Sequence, residues 1–250
     1  MIAPLVIKIG GHESADPVFL QGLAEAVRDL HTPVVIVHGG GAEISTMQQV
    51  MGITPQYVDG VRVTDAPSLA VVEMVLCGVV NKRLVRTLVN VGVEALGLSG
   101  VDQGIVRAVK MQHPVHDMGL TGAVTTVRGG VLHNMLAAGV VPVMAPLCLG
   151  EDQPVTYNVN ADHVAGAVAA EIQAARVVFL TNVEAVLVQG EPVAQLNAAQ
   201  AEALINDGTI TGGMIPKVKT ALDVVAQGVG QAVITNLTGL RHQGGTVFVK

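Results

Sequence analysis

Apolar residues along this chain fall into short unbroken blocks. Leu5-Val6-Ile7-Lys8-Ile9, Pro33-Val34-Val35-Ile36-Val37 and the segments 93–98, 140–144, 175–180, 231–235 and 246–249 are each bounded by glycine, proline or polar residues. Blocks of that length without alternation predict strands buried on both faces. Between them run segments of helical period: 17–30, 42–51, 67–91, 131–138, 161–175, 197–207 and 214–227. Asp16 precedes Pro17 as a cap before a proline at the first helical position, and Asn197 is placed to cap its own helix. In 67–91, Leu69, Val72, Leu76, Val79, Val80 and Leu84 share one broad face, and Lys82 and Arg83 follow toward the helix end that favours cations. Strand–helix alternation of this kind predicts a largely parallel sheet in an α/β fold.

Two stretches break the alternation. Residues 55–64 read as an extended or hairpin segment. Residues 100–127 carry glycines at 100, 104, 119 and 122 and short alternating runs at 105–109 and 123–127. They predict hairpins appended to a sheet edge, serving as a lid or substrate flap. No linker or repeat divides the chain, and a composition shift near 150–175 points to two lobes on one continuous sheet.

Composition narrows the function classes. The 250 residues are 50% apolar and 14% charged, which excludes a disordered chain. Fourteen basic against twenty acidic residues give a net charge of -6, with five aromatic residues and no basic run, so nucleic acid is not an expected partner. A small polyanion stays open, because its site needs only a few local cations. Cys77 and Cys148 form no closely spaced pair, which predicts a reduced, cytoplasmic setting. The apolar start at 1–9 is too short for a secretory signal, and the apolar stretch 139–150 holds two prolines and is too short for a bilayer span. A soluble intracellular protein without membrane contact is expected.

The chemistry-bearing residues cluster at strand ends. Neither G-x-G-x-x-G nor a Gly-Lys pair occurs, so the common dinucleotide and P-loop motifs are absent. Gly10-Gly11 follows Lys8, and Gly39-Gly40-Gly41 follows His38. Glycine backbone at the carboxyl ends of parallel strands, with a helix starting next, is suited to anions, although one cluster alone reads as a tight turn. Lys8 interrupts an apolar strand, where a buried ammonium needs a carboxylate or an anionic ligand. Lys217 stands in the first turn of a helix after Thr211-Gly212-Gly213, useful there only beside an anion. Asp162 opens another helix and reads either as a helix-dipole partner or as a carboxylate that aligns lysines. Asn158 is a potential donor to a carboxylate, and Arg62 offers a fork suited to one. His113 and His116 read as solvated loop residues, and no metal-ligand set stands out.

Taken together, Lys8-x-Gly10-Gly11, His38-Gly39-Gly40-Gly41, Gly60-Val61-Arg62-Val63-Thr64, Asn81-Lys82, Asn158-Val159-Asn160-Ala161-Asp162 and Gly212-Gly213-Met214-x-x-Lys217 resemble the amino acid kinase family over nearly the whole chain. The resemblance implies a three-layer α/β/α sandwich, with residues 1–174 binding an amino acid substrate and 175–250 binding Mg-ATP. It implies transfer of the γ-phosphoryl group to the side-chain carboxylate of N-acetyl-L-glutamate in arginine biosynthesis. By the same resemblance, Lys8 and Lys217 stabilise the transferring group, Asp162 holds both lysines, and Gly11 and Gly40 offer backbone N–H groups. Gly40, Gly41, Arg62 and Asn158 bind the acid. Thr181, Asn182, Val183, Val186, Thr209, Ile210, Thr211 and Lys217 line the nucleotide site, and Mg²⁺ is held by phosphates and water, without protein ligands.

The chain departs from the family pattern at Asn182 and Ala185 and at Gly10-Gly11-His12-Glu13. Lys8 stands too early for the N-terminal helix of the family's arginine-inhibited hexamers, so a homodimer joined partly through 67–91 is expected. Residues 73–84 and 97–100 are also similar to the kinase of carrier-protein-linked aminoadipate in lysine biosynthesis, whose bulky substrate favours a basic rim. Here only Lys82, Arg83 and Arg86 stand near such a rim. A non-catalytic sensor on the same fold would be expected to lack Lys8, Asp162 or Lys217, and all three are present.

Overall fold

The computed structural model describes residues 2–11, 13–151 and 153–250; His12 lies outside the described residues. Its centre is an eight-stranded sheet. In spatial order the strands are Gln195–Leu196, Thr246–Phe248, Ala232–Thr235, Arg176–Leu180, Leu5–Ile9, Val34–His38, Val141–Ala145 and Ala95–Ser99. All neighbours pair in parallel except Ala232–Thr235 with Thr246–Phe248. The seven apolar blocks of the sequence supply seven of these strands. Gln195–Leu196, two residues long, carries no periodicity to read.

Side-chain parity makes the three layers. Val6, Val35, Val37, Val177 and Phe179 face a core shared with Leu132, Val164, Val168, Val218 and Val224. Leu5, Ile7, Ile9, Ile36 and Leu180 face the opposite core with Leu20, Leu23, Leu76, Leu84 and Leu88. Helices Gly129–Ala137, Ala161–Glu171 and Met214–Ala226 cover the first face, and Pro17–Asp29 and Asn81–Asn90 the second. The parity also sets Lys8 on the side of Val6, toward the helix that begins at Ala161. Asp16 caps Pro17–Asp29 by accepting from the Val18 N–H, and Asn197 and Gln200 form a capping box on Ala198–Asn206.

The Leu5–Ile9 strand lies between Val34–His38 and Arg176–Leu180, so the chain runs outward from it in both directions. Such a reversal opens a crevice at the carboxyl ends of the strands. Gly10-Gly11, Gly39-Gly40-Gly41 and Thr181 all emerge there.

Two expectations change. The helix expected over 67–91 is three segments: Ala66–Glu73, a π-helical stretch Met74–Val80, and Asn81–Asn90. The widened turns carry Leu76 and Val80 to the glycine loop, where a Cβ on Gly40 would meet Leu76 Cδ2 at 2.6 Å and Val80 Cγ2 at 3.3 Å. Segment 100–127 does not extend an edge of the main sheet. Its strands Val106–Lys110 and Thr121–Val127 close into a four-stranded barrel with Leu147–Gly150 and Thr156–Val159. The last strand of that barrel carries Asn158, and the hairpin Gln56–Val58 with Val61–Val63 is tied to it where Thr64 bridges Gly119.

Candidate active site

Two cavities flank the crevice. The first, of about 210 Å³, is walled by Gly39, Gly40 and Gly41, by Tyr57, Gly60 and Arg62 of the hairpin, and by Thr121, Asn158, Asn160 and Ala161. The expected acid-binding residues Gly40, Gly41, Arg62 and Asn158 thus meet in one space, although they come from three separate parts of the chain.

Arg62 is the unusual charge here. Its residue exposure is 9%, and it pairs with no carboxylate among the described residues. One guanidinium nitrogen donates to Gln48 Oε1. The other donates to the Gly41 carbonyl at 3.0 Å and to Ser45 Oγ at 2.8 Å. Its Cζ lies 4.8 Å from the Tyr57 ring centroid. Burial pulls its pKa below the ordinary arginine value, yet guanidinium stays charged. A buried cation supported, among the described residues, by neutral groups is suited to receive an anion. Opposite it, Asn158 Nδ2 donates to Thr64 Oγ1 at 3.0 Å.

Gln48 was not read from the sequence as a site residue. It is fully buried, donates to Ser68 Oγ at 2.9 Å, and accepts from Arg62. Its position one helical turn after Ile44, on a buried face, was the available signal.

The two glycine loops abut. A Cβ on Gly11 would lie 3.1 Å from the Gly41 nitrogen and 3.4 Å from Gly40 Cα, so only glycine brings these backbones together without displacement. Beside them Lys8 Nζ lies 2.7 Å from Asp162 Oδ1, with side-chain exposures of 18% and 22%. Asp162 sits in the first turn of a helix capped by Asn160, which accepts from the Asp162 N–H at 2.8 Å. The ion pair therefore joins the central strand to the helix whose start, at Asn160 and Ala161, walls the first cavity. Lys217 is half-buried in the first turn of Met214–Ala226 and makes no ion pair among the described residues. Asp162 is thus brought onto Lys8 and not onto Lys217. The helices bearing Asp162 and Lys217 pack at Gly166, where a Cβ would lie 2.8 Å from Val224 Cγ2.

The second cavity, about 550 Å³, is lined by Val183, Glu184, Ala185, Val186, Thr209, Ile210, Thr211 and Met214 among others. Five expected nucleotide residues stand in its wall: Val183, Val186, Thr209, Ile210 and Thr211. Thr181, Asn182 and Lys217 are not among its lining residues: Thr181 is buried and accepts from the Val183 N–H at 3.1 Å, Asn182 is exposed and Lys217 is half-buried. Ala185 lies in the wall, and Leu187 and Pro192 join it unannounced by any motif.

His38 anchors the second glycine loop. It is fully buried, its Nδ1 lies 3.0 Å from the Gly39 carbonyl, and its Nε2 lies 3.1 Å from Asn81 Nδ2. Burial, reinforced by the Arg83 and Lys82 charges, pushes its pKa down to about 4. The imidazole is therefore neutral near pH 7, with Nδ1–H donating and Nε2 accepting. An unfolded histidine titrates near 6.5, so between that value and about 4 only the unfolded chain takes up the proton. Stability from this group is full above pH 6.5 and falls toward pH 4, by roughly 3 kcal/mol in all. Urea midpoints measured from pH 7 to 4.5 are expected to fall less steeply for His38→Asn than for the wild type. Equal slopes would remove His38 from this account.

The sequence model of the amino acid kinase family matches residues 3–236. The chain is 51% identical over 246 residues to a protein named acetylglutamate kinase from Roseiflexus sp. (strain RS-1), covering 98% of this chain and 94% of that one. It is 48% identical over 243 residues to a protein of the same name from Chloroflexus aurantiacus (strain ATCC 29366 / DSM 635 / J-10-fl), covering 97% and 95%. A crystal structure of smu.665 from Streptococcus mutans UA159 superposes with a TM-score of 0.82 at 31% identity, covering 98% of each chain.

Proposed function

Because the chain belongs to the amino acid kinase family, we propose that it transfers the γ-phosphoryl group of ATP to the side-chain carboxylate of N-acetyl-L-glutamate. The products are N-acetyl-L-glutamyl 5-phosphate and ADP, the second step of arginine biosynthesis. The relatives named acetylglutamate kinase support this reading along nearly the full chain. One observation of the site carries it furthest: Arg62, buried without a carboxylate partner among the described residues, faces a cavity walled by glycine backbone. At about 210 Å³ that cavity suits an amino acid derivative rather than a drug-sized ligand, whose sites run to roughly 300–1,000 Å³.

Arg62 and Asn158 hold the acid's main carboxylate and orient its side chain toward the glycine loops. The side-chain carboxylate oxygen attacks the γ-phosphorus as the bond to the β–γ bridging oxygen breaks, and ADP leaves. Both partners are anionic, so the protein's contribution is positioning and charge stabilisation. Lys8, held by Asp162, and Lys217 meet the charge on the transferring group. Gly11 and Gly40 offer their N–H groups to it. The residues of the second cavity, with Thr181 and Asn182 preceding Val183 in the chain, receive the nucleotide.

In this reading Mg²⁺ would be held by the nucleotide's phosphates and by water. No group of three His, Cys, Asp or Glu side chains able to hold a metal stands together among the described residues, and Asp162 is engaged by Lys8. A hard ion carried on phosphate oxygens and water fits that donor set, and when bound it neutralises phosphate charge. The reading further includes an N-terminal substrate lobe of 1–174 and a nucleotide lobe of 175–250 sharing one sheet. It includes a homodimer, supported by Met74, Val79 and Leu96, large apolar side chains exposed on the 67–91 segment and the adjoining edge strand. It places the enzyme in the cytoplasm, supported by two free cysteines. No helix among the described residues is long and apolar enough to cross a membrane.

A carrier-borne acceptor is disfavoured by where the cations point. Lys82 Nζ donates to Asn81 Oδ1 and to the Gly97 carbonyl, each at 3.1 Å, and Arg83 is bound to Glu43. The test is ADP release from Mg-ATP with hydroxylamine trapping of the acyl phosphate. N-acetyl-L-glutamate, L-glutamate, L-aspartate and N-acetyl-aminoadipate are run side by side. Strong signal with N-acetyl-L-glutamate alone is expected. Preference for the aminoadipate analogue, or silence with N-acetyl-L-glutamate, would overturn the acceptor assignment.

A further inference from the structure

The helical turn Asn81-Lys82-Arg83 touches the supports of both glycine loops. Arg83 Nη1 donates to the Ser14 carbonyl at 3.2 Å, and its Nη2 lies 2.5 Å from Glu43 Oε2. Ser14 is fully buried, donates through Oγ to the Gly11 carbonyl at 3.0 Å, and donates its N–H to the Gly10 carbonyl at 3.1 Å. Glu43 lies in the first turn of the helix Gly41–Val50, which the second glycine loop opens. Its other oxygen, Oε1, is buried with no hydrogen-bond partner among the described residues, so a single guanidinium among them holds this carboxylate. Two residues earlier, Asn81 Nδ2 donates to the Val143 carbonyl at 2.8 Å and faces His38, which holds Gly39.

A guanidinium is a rigid planar fork, so donating through both arms fixes the separation of what they hold. Here one arm holds the turn behind Gly11 and the other holds the helix that starts at Gly41. Those are the two backbones whose approach, 3.1 Å from a Gly11 Cβ to the Gly41 nitrogen, shapes the space between the loops. We propose that Arg83 is a positioning residue for phosphoryl transfer: it sets the gap between the Gly11 and Gly40–Gly41 N–H donors from behind. This rests on the phosphotransfer reading above. Arg83 does not touch the acid cavity, whose walls it leaves to Arg62 and Asn158. Its effect therefore falls on turnover and not on acceptor affinity, because donors misplaced by a fraction of an ångström lose stabilisation mainly in the transition state.

The test is steady-state kinetics of the full chain with Mg-ATP and N-acetyl-L-glutamate, comparing wild type, Arg83→Ala, Arg83→Lys, Glu43→Gln and the Arg83→Ala/Glu43→Gln double variant. Arg83→Ala is expected to lower kcat about 10- to 100-fold, with acceptor KM within about threefold of wild type. Glu43→Gln is expected to lower kcat in the same way, and the double variant to be no worse than the worse single variant, because both break one brace. Arg83→Lys, which reaches Glu43 or Ser14 but not both, is expected to fall between. Thermal midpoints run in parallel; if Arg83→Ala fails to fold, Arg83→Lys and Glu43→Gln carry the comparison. Unchanged kcat in the folded variants, losses that add in the double variant, or a KM that rises in step with the fall in kcat would overturn the proposal. Inactive wild type would overturn the phosphotransfer reading, and this proposal with it.

Discussion

Lys8→Ala lowers turnover at least about 100-fold, with little change in acceptor KM. The expectation follows from where the ammonium stands. Lys8 interrupts the central strand between two parallel neighbours, and its side-chain parity turns it to the Asp162 helix, 2.7 Å from the carboxylate. That pair is only about one-fifth exposed, so the variant leaves the Asp162 carboxylate without its cation, and a lower thermal midpoint is expected beside the lost turnover. Its proposed work is done when charge spreads over the transferring phosphoryl group beside Gly11. A fixed cation there lowers the barrier by about 2.7 kcal/mol or more, the equivalent of 100-fold. Lys217→Ala is expected to show the same split between kcat and KM from the nucleotide side. ADP release at saturating acid is the measurement. Turnover near wild type in either variant would remove that lysine from the phosphoryl site.

Arg62→Ala raises acceptor KM by about 100-fold or more. Here the loss is one of binding. The guanidinium is desolvated, is supported by the Gly41 carbonyl, Ser45 and Gln48, and lacks an anionic partner among the described residues. A carboxylate that docks on it gains a charge-assisted fork in a shielded site. Arg62→Lys is not expected to rescue, because an ammonium cannot serve a carboxylate and the three neutral acceptors in one plane. The variant also strands Gln48 Oε1 in the core, at about 1–3 kcal/mol. A lower thermal midpoint should therefore accompany the raised KM. A fall in kcat at unchanged KM would move Arg62 from acceptor binding to the chemical step.

These two residues differ in how readily the chain reveals them. Lys8 is conspicuous in sequence, since a lone charge in an apolar block beside a glycine pair has few other uses. Arg62 is conspicuous only through the company of its motif; by itself it reads as a surface arginine. Gln48, which steadies it, and Arg83, which braces the loops, carried no sequence signal beyond helical periodicity. Their partners lie 14 and 69 residues away for Arg62–Gln48 and Arg83–Ser14. The sequence places the antiparallel pair of the small barrel at the sheet edge for a related reason. Leu147–Gly150 and Thr156–Val159 are four-residue strands, too short to announce a period, and only their pairing with Val106–Lys110 and Thr121–Val127 reveals them.

The parallel α/β architecture, the strand ends where glycines leave backbone open, and the residue types suited to an anion are all legible along the chain. Those features are local: burial on both faces demands apolar blocks, and a tight turn or cap demands particular residues within a few positions. Tertiary structure alone decided which of those groups meet. It brought Asp162 onto Lys8, set the Gly11 backbone against Gly41, and buried Arg62 away from carboxylates among the described residues. It also turned Arg83 inward to join two loops. Such contacts depend on strand order, side-chain parity and helix packing, which are fixed only when the whole chain closes around its two cores.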